Sequence, residues 1–135
     1  MNEIKIENVH IDDDLYLDYV SSPYEIEIVT FINVKFDSKL YPMFMQNFNN
    51  ILKLNIINST IDSKVLVSLI RNSNPHSLYE INLTGSNIEM NYETDFKWLG
   101  GLFALSKLIL PLQINEDLKN QLLRYLNTEK VLFAN

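Results

Sequence analysis

The sequence predicts an α/β fold of repeated strand–turn–helix units, with parallel strands along one side, helices along the other and one hydrophobic core between them. Three observations carry that expectation. A short apolar pattern recurs at near-constant spacing, the periodicity changes from two residues to a helical period between its copies, and acidic or amide residues stand where each helix would begin.

The pattern is plainest in two segments, Ile51-Leu52-Lys53-Leu54-Asn55-Ile56-Ile57-Asn58-Ser59-Thr60-Ile61 and Leu78-Tyr79-Glu80-Ile81-Asn82-Leu83-Thr84-Gly85-Ser86-Asn87-Ile88. Each has aliphatic residues at positions one, four, six and eleven and a serine at nine. The same frame catches Met1, Ile4, Ile6, Val9 and Ile11, then Ile26, Val29, Phe31, Val34 and Phe36. It continues at Leu105, Leu108 and Leu110, weakens where Gln113 and Asn115 fill the last slots, and ends in a partial strand at Val131 and Phe133. The repeats thus start near 1, 26, 51, 78, 105 and 128, at spacings of 25, 25, 27, 27 and 23 residues. That makes five to six repeats in a single domain covering 1–135, with no linker or low-complexity segment.

The physical logic follows the frame. In each strand, positions four and six point to one side and positions three, five and seven to the other. Position eleven drops back into the core. Helical stripes then follow: Leu40, Phe44 and Phe48; Val65, Leu66, Leu69 and Ile70; Tyr92, Phe96 and Leu99, ended by Gly100-Gly101; and Leu118, Leu122 and Leu126. Asp12, Asp37, Asp62 and Asn115 stand where an N-cap or first-turn acid would satisfy helix amides. Asn72-Ser73-Asn74-Pro75 is a helix stop. Asn8, Asn33 and Asn58, all at position eight, suit a ladder of turns.

The L-x-x-L-x-L-x-x-N/C-x-L spacing of these segments resembles the leucine-rich-repeat family. Repeat length, the small residue at nine and the Ile-Asp that follows resemble its cysteine-containing class, with the ribonuclease-inhibitor class the near alternative. The resemblance implies a solenoid, a right-handed β-α superhelix with parallel strands on its concave face and helices on its convex face. The chain departs from both classes at position nine, where Val9, Val34, Ser59, Ser86 and Gln113 replace cysteine. What the family implies is a protein-binding role.

Composition narrows the function. A hydrophobic fraction of 47% and a charged fraction of 21% fit a folded protein. A formal net charge of −6 with scattered Lys and Arg argues against nucleic acid as a partner. No cysteine is present, so disulfides, thiolate metal sites and a cysteine nucleophile are excluded. The charged N-terminal stretch is not a signal-peptide core, and no apolar run approaches the roughly 20 residues of a membrane span. An intracellular, cytoplasmic protein without membrane contact is expected. His10 and His76 are the only histidines, and neither has a second ligand at metal spacing. Asp12-Asp13-Asp14 lacks the alternating ligands, glycine and distal glutamate of an EF-hand loop. With three glycines and no phosphate-loop motif, a nucleotide cradle is not expected. Trp98 has two readings on the helical side, partly buried or exposed there as an anchor, and the first is favoured because tryptophan is usually mostly buried. No enzyme activity, cofactor or metal is expected.

The expected site is the outward face of the strands, which displays Ile28, Thr30, Ile32, Leu52, Lys53, Asn55, Ile57, Tyr79, Glu80, Asn82 and Thr84. Ile28, Ile32, Leu52, Ile57 and Tyr79 are apolar where a merely solvated sheet would favour polar residues, which marks an interface. A second contact is expected end-on: the first frame begins at Met1, so Ile4, Ile6 and Leu15 await cover by a partner or a second copy. The function read from the sequence is therefore a non-enzymatic protein–protein interaction module, a small subunit or adaptor of a larger assembly. Two alternatives stand beside it: an inhibitor or immunity-type protein that blocks an enzyme through the same face, and an adaptor resembling the repeat arms of F-box proteins without the F-box.

Overall fold

Alternating apolar residues produce short strands, and turns of two to four residues send four of them into a second sheet. The computed structural model describes residues 2–13, 25–126 and 129–135. Its strands are β1 (Asn2–Glu7), β2 (His10–Ile11), β3 (Ile26–Ile32), β4 (Lys35–Phe36), β5 (Lys53–Ile57), β6 (Thr60–Asp62), β7 (Glu80–Asn82), β8 (Asn87–Glu89), β9 (Lys107–Pro111) and β10 (Val131–Ala134). Among the described residues two α-helices, α1 (Ser63–Arg71) and α2 (Glu116–Tyr125), accompany 3-10 turns at Met43–Asn47 and Phe96–Gly101. The fold is α/β with parallel strands in two sheets, ordered β1-β3-β5-β7-β9-β10 and β2-β4-β6-β8.

Register follows the apolar frame. Ile4 pairs with Val29, Val29 with Leu54, Leu54 with Ile81, Ile81 with Leu108, and Leu108 with Val131. These are the position-four residues, stacked strand on strand. In the smaller sheet Ile11 pairs with Phe36 and Ile61 with Ile88. A one-residue slip would turn each strand's apolar set toward water, so burial itself locks the register.

Position eight makes the corner between the sheets. Asn8, Asn33 and Asn58 have φ of 58°, 53° and 49°, and Gly85, the next in the column, has 67°. This left-handed backbone favours glycine, and asparagine tolerates it better than other side chains. The Asn33 side-chain amide donates to Asn8 Oδ1 at 2.7 Å. At Gly85 a Cβ would lie 2.0 Å from Asn58 Oδ1, so the column there has room only for hydrogen.

One position later, two serines line the turn. Ser59 Oγ accepts from the Val34 amide at 3.0 Å and donates to the Ile57 carbonyl. Ser86 Oγ accepts from the Ser59 amide at 3.1 Å and donates to the Ile56 carbonyl at 2.6 Å. Both serines are buried. Each hydroxyl satisfies amides and carbonyls that the corner removes from the strand ladder.

The core lies between the two sheets and the helical segments. Val29, Phe31, Leu54, Ile56, Ile81 and Leu108 meet Ile11, Phe36 and Ile61, all at 4% exposure or less. The rings of Phe31 and Phe36 pack edge-on at 5.0 Å. α1 contributes Val65, Leu66, Leu69 and Ile70, and α2 Leu118 and Leu122, matching their expected stripes. Asp62 and Asn115 cap these helices, accepting from the amides of Lys64 and Leu118. α1 stops at Arg71, just before Asn72.

The second and fourth connections depart from the expected helices. Pro42 disfavours the helical conformation at Tyr41 and leaves only a 3-10 turn over Met43–Asn47, although Leu40, Phe44 and Phe48 are buried. In the fourth, the Asn91 amide donates to Ser63 Oγ at 2.8 Å, tying the segment to the start of α1. Only Phe96–Gly101 then coils, as a 3-10 turn. Phe96 and Leu99 are buried, but Tyr92 leaves the expected stripe: it is 76% exposed and its hydroxyl donates to Asp117. No helix among the described residues is long and apolar enough to cross a membrane.

Candidate functional site: the outer sheet face

Because the strands are parallel and in register, the outward side chains fall into rows across the sheet, roughly 4.8 Å apart. One row runs Glu3, Ile28, Lys53, Glu80, Lys107, and the next Lys5, Thr30, Asn55, Asn82, Ile109, Leu132. A third begins Glu7, Ile32, Ile57. Leu52 and Tyr79 enter at the strand starts, where the Tyr79 amide donates to the Leu52 carbonyl at 2.9 Å.

The structure therefore brings together the residues expected at the site. Ile28, Ile32, Leu52, Lys53, Asn55, Ile57, Tyr79, Glu80, Asn82 and Thr84 are all half-buried on this face. Ile32 and Ile57 are direct cross-strand partners, and Ile28 pairs with Lys53. Thr30 is the exception. It points outward but is only 4% exposed, because its hydroxyl donates to Glu3 Oε2 and accepts from Asn55 Nδ2 at 3.1 Å. Thr30 is thus an internal tie beneath its neighbours rather than a contact residue.

Charge alternates around the apolar group. The Lys53 ammonium lies 5.8 Å from the Tyr79 ring centroid, and Lys107 Nζ is 3.9 Å from Glu80 Oε1. Asn82 Oδ1 accepts from both the amide and the hydroxyl of Thr84. Toward the strand starts, an open depression of about 440 Å³ is lined by Tyr79, Glu80, Leu105, Ser106, Lys107 and Lys130, among others. Leu105, Lys107 and Ile109 extend the face by one strand, β9. The frame starting at 105 was the signal for them.

At the β1 end, Ile4 and Ile6 are half-buried against the core. Among the described residues, β1 pairs with β3 on one side and with no strand on the other. Leu15 lies outside the described residues. His10 Nε2 stands 4.0 Å from Asp37 Oδ2. Among the described residues no three His, Cys, Asp or Glu side chains are grouped as metal ligands would be. The face offers apolar area and hydrogen-bonding groups side by side.

The helical side carries a feature that the apolar frame does not signal. Trp98 follows the second of its two readings, being 51% exposed, and the Arg71 guanidinium carbon lies 3.7 Å from its ring centroid. Phe103 is 76% exposed and stacks on His76 at 5.8 Å. Comparison with known proteins gives no matching family model, no matching curated protein and no matching solved structure.

Proposed function

We propose that the chain is a leucine-rich-repeat module that binds a protein partner on the outer face of its six-stranded sheet and performs no catalysis. The observation that carries this reading is a set of outward apolar residues on β3 and β5, Ile28 and Leu52 at the strand starts and the cross-strand pair Ile32–Ile57 at their ends, on either side of the polar Thr30–Asn55 row. It lies on the outward side of the sheet, on adjoining strands, with Lys53, Tyr79 and Glu80 beside it. Apolar side chains fixed on a rigid backbone and ringed by polar ones have the anatomy of a protein interface. The strand-by-strand pairing of position-four residues and the left-handed column at position eight support the repeat reading. In this reading the module works inside the cell as a subunit or adaptor, with Ile4 and Ile6 as an end-on contact for a partner or a second copy.

The test is paired affinity purification from the native source with the intact chain, Ile57→Asp and a control change on α2, Arg124→Gln. A partner retained by the first and third and lost by Ile57→Asp supports the reading. A partner held equally by all three would place the contact elsewhere. If the retained partner is an enzyme, assaying it with and without the chain separates an adaptor from an inhibitor.

A further inference from the structure

Away from the sheet, the C-terminal end of α1 and the 3-10 turn at Phe96–Gly101 enclose a small depression of about 250 Å³. Ile70, Pro75, Trp98 and Leu102 give it apolar walls, and Arg71 stands at its edge. That volume suits one branched or aromatic side chain. Arg71 occupies the last turn of α1, where the helix dipole favours a cation. Its guanidinium lies over the Trp98 ring at 3.7 Å, which fixes the group by cation–π contact. Among the described residues no carboxylate oxygen lies within 4.0 Å of it. A guanidinium held this way presents a preorganised fork of N–H donors, the geometry that suits a carboxylate.

The rim adds apolar surface. Pro75 and Leu102, which line the depression, are followed directly by His76 and Phe103, and those two rings stack. Lys97, next to Trp98, adds a second exposed cation. The chain as a whole carries −6, so its long-range field repels a polyanion, whereas local cations beside an apolar hole favour one carboxylate next to one apolar side chain.

We propose that this depression binds a peptide segment of a partner protein in which a carboxylate adjoins a bulky apolar residue. The carboxylate takes the Arg71 fork, and the apolar side chain enters between Pro75, Trp98 and Leu102. The site is separate from the sheet face and does not depend on it.

The full chain is panned against a phage-displayed random dodecapeptide library. Enriched peptides are synthesised with free and with amidated C-termini, then titrated by peptide anisotropy and by the emission of Trp98, the single tryptophan. Enrichment of Asp or Glu within two residues of Leu, Ile, Met, Phe or Trp is expected, with an emission change on binding. Affinity should fall at least tenfold in Arg71→Gln and at least threefold in Arg71→Lys, and stay within twofold in Ile57→Asp. Circular dichroism melts check that each variant is folded. Binding by amidated peptides assigns the carboxylate to a side chain, and binding by free acids alone assigns it to a chain terminus. Three results would overturn the proposal: no acidic–apolar enrichment, an Arg71→Gln variant that binds within twofold of the parent, or Arg71-dependent binding of oligo(dT) or phosphatidylserine vesicles tighter than that of any peptide.

Discussion

Ile56 and Ile57 are neighbours in β5 that face opposite ways, and charging each in turn separates the core from the site. Ile56 is fully buried and pairs with Phe31, itself fully buried. Ile56→Asp removes a buried aliphatic side chain worth about 2–3 kcal/mol. It also places a carboxylate in the core at a cost of several kcal/mol more. Together these approach the whole stability of an ordinary domain, about 5–15 kcal/mol, so this variant should be unfolded or nearly so at 25 °C. Ile57 is half-buried on the outer face opposite Ile32. Ile57→Asp loses about half of a full burial, on the order of 1 kcal/mol, and its carboxylate reaches water. For a chain of this size that is a fall in Tm of roughly 3–5 °C. Far-UV circular dichroism melts and urea titrations read both values. If the two variants melt within a few degrees of each other, the assignment of inner and outer faces is wrong.

Gly85→Ala should cost about 1–2 kcal/mol from left-handed strain alone, and pairing it with Asn58→Gly should recover only the steric part, read as urea midpoints. Ser86→Ala removes the partner of the Ser59 amide, so stability should fall by about 1–3 kcal/mol. The Ser59 amide should then exchange its hydrogen markedly faster, whereas Ser68→Ala, on a half-exposed hydroxyl, should leave it unchanged. If the β1 end is a contact surface, light scattering behind size exclusion at micromolar concentration should show self-association that Ile6→Lys abolishes. A monomer whose β1 amides exchange as slowly as those of β5, with no partner present, would refute that contact.

What the sequence made legible is what burial dictates. Positions four, six and eleven had to be apolar to fill the space between the sheets, and Val29, Leu54 and Ile81 fall into register because each needs the same neighbour. The cap residues Asp62 and Asn115 were equally readable, since an exposed helix amide needs an oxygen close in sequence. The second and fourth connections were not, because apolar residues three or four apart suit a 3-10 turn as well as an α-helix. Pro42 and the Ser63–Asn91 hydrogen bond decided the matter, and the latter joins residues 28 apart in sequence. Thr30 escaped for a similar reason: its cover comes from Glu3 and Asn55 on the two flanking strands. Arg71 lies in α1 and Trp98 in the 3-10 turn of the next connection, and no periodicity links a cation to a ring across that distance.

The strand order has a mechanical consequence. Among the described residues each inner strand of the larger sheet pairs with the strands about 25 residues before and after it along the chain, and β1 and β10 pair with one strand each. Closing each such loop costs a similar entropy, roughly 3 kcal/mol, and among the described residues no strand pairing clamps one end of the sheet to the other. A pulling force applied at β1 and β10 should therefore peel the protein in steps, an end strand first, each step releasing one turn of chain. In an optical trap this would appear as a sawtooth of evenly spaced extensions rather than a single rip. The molecule would yield as a coiled cord does, one loop at a time.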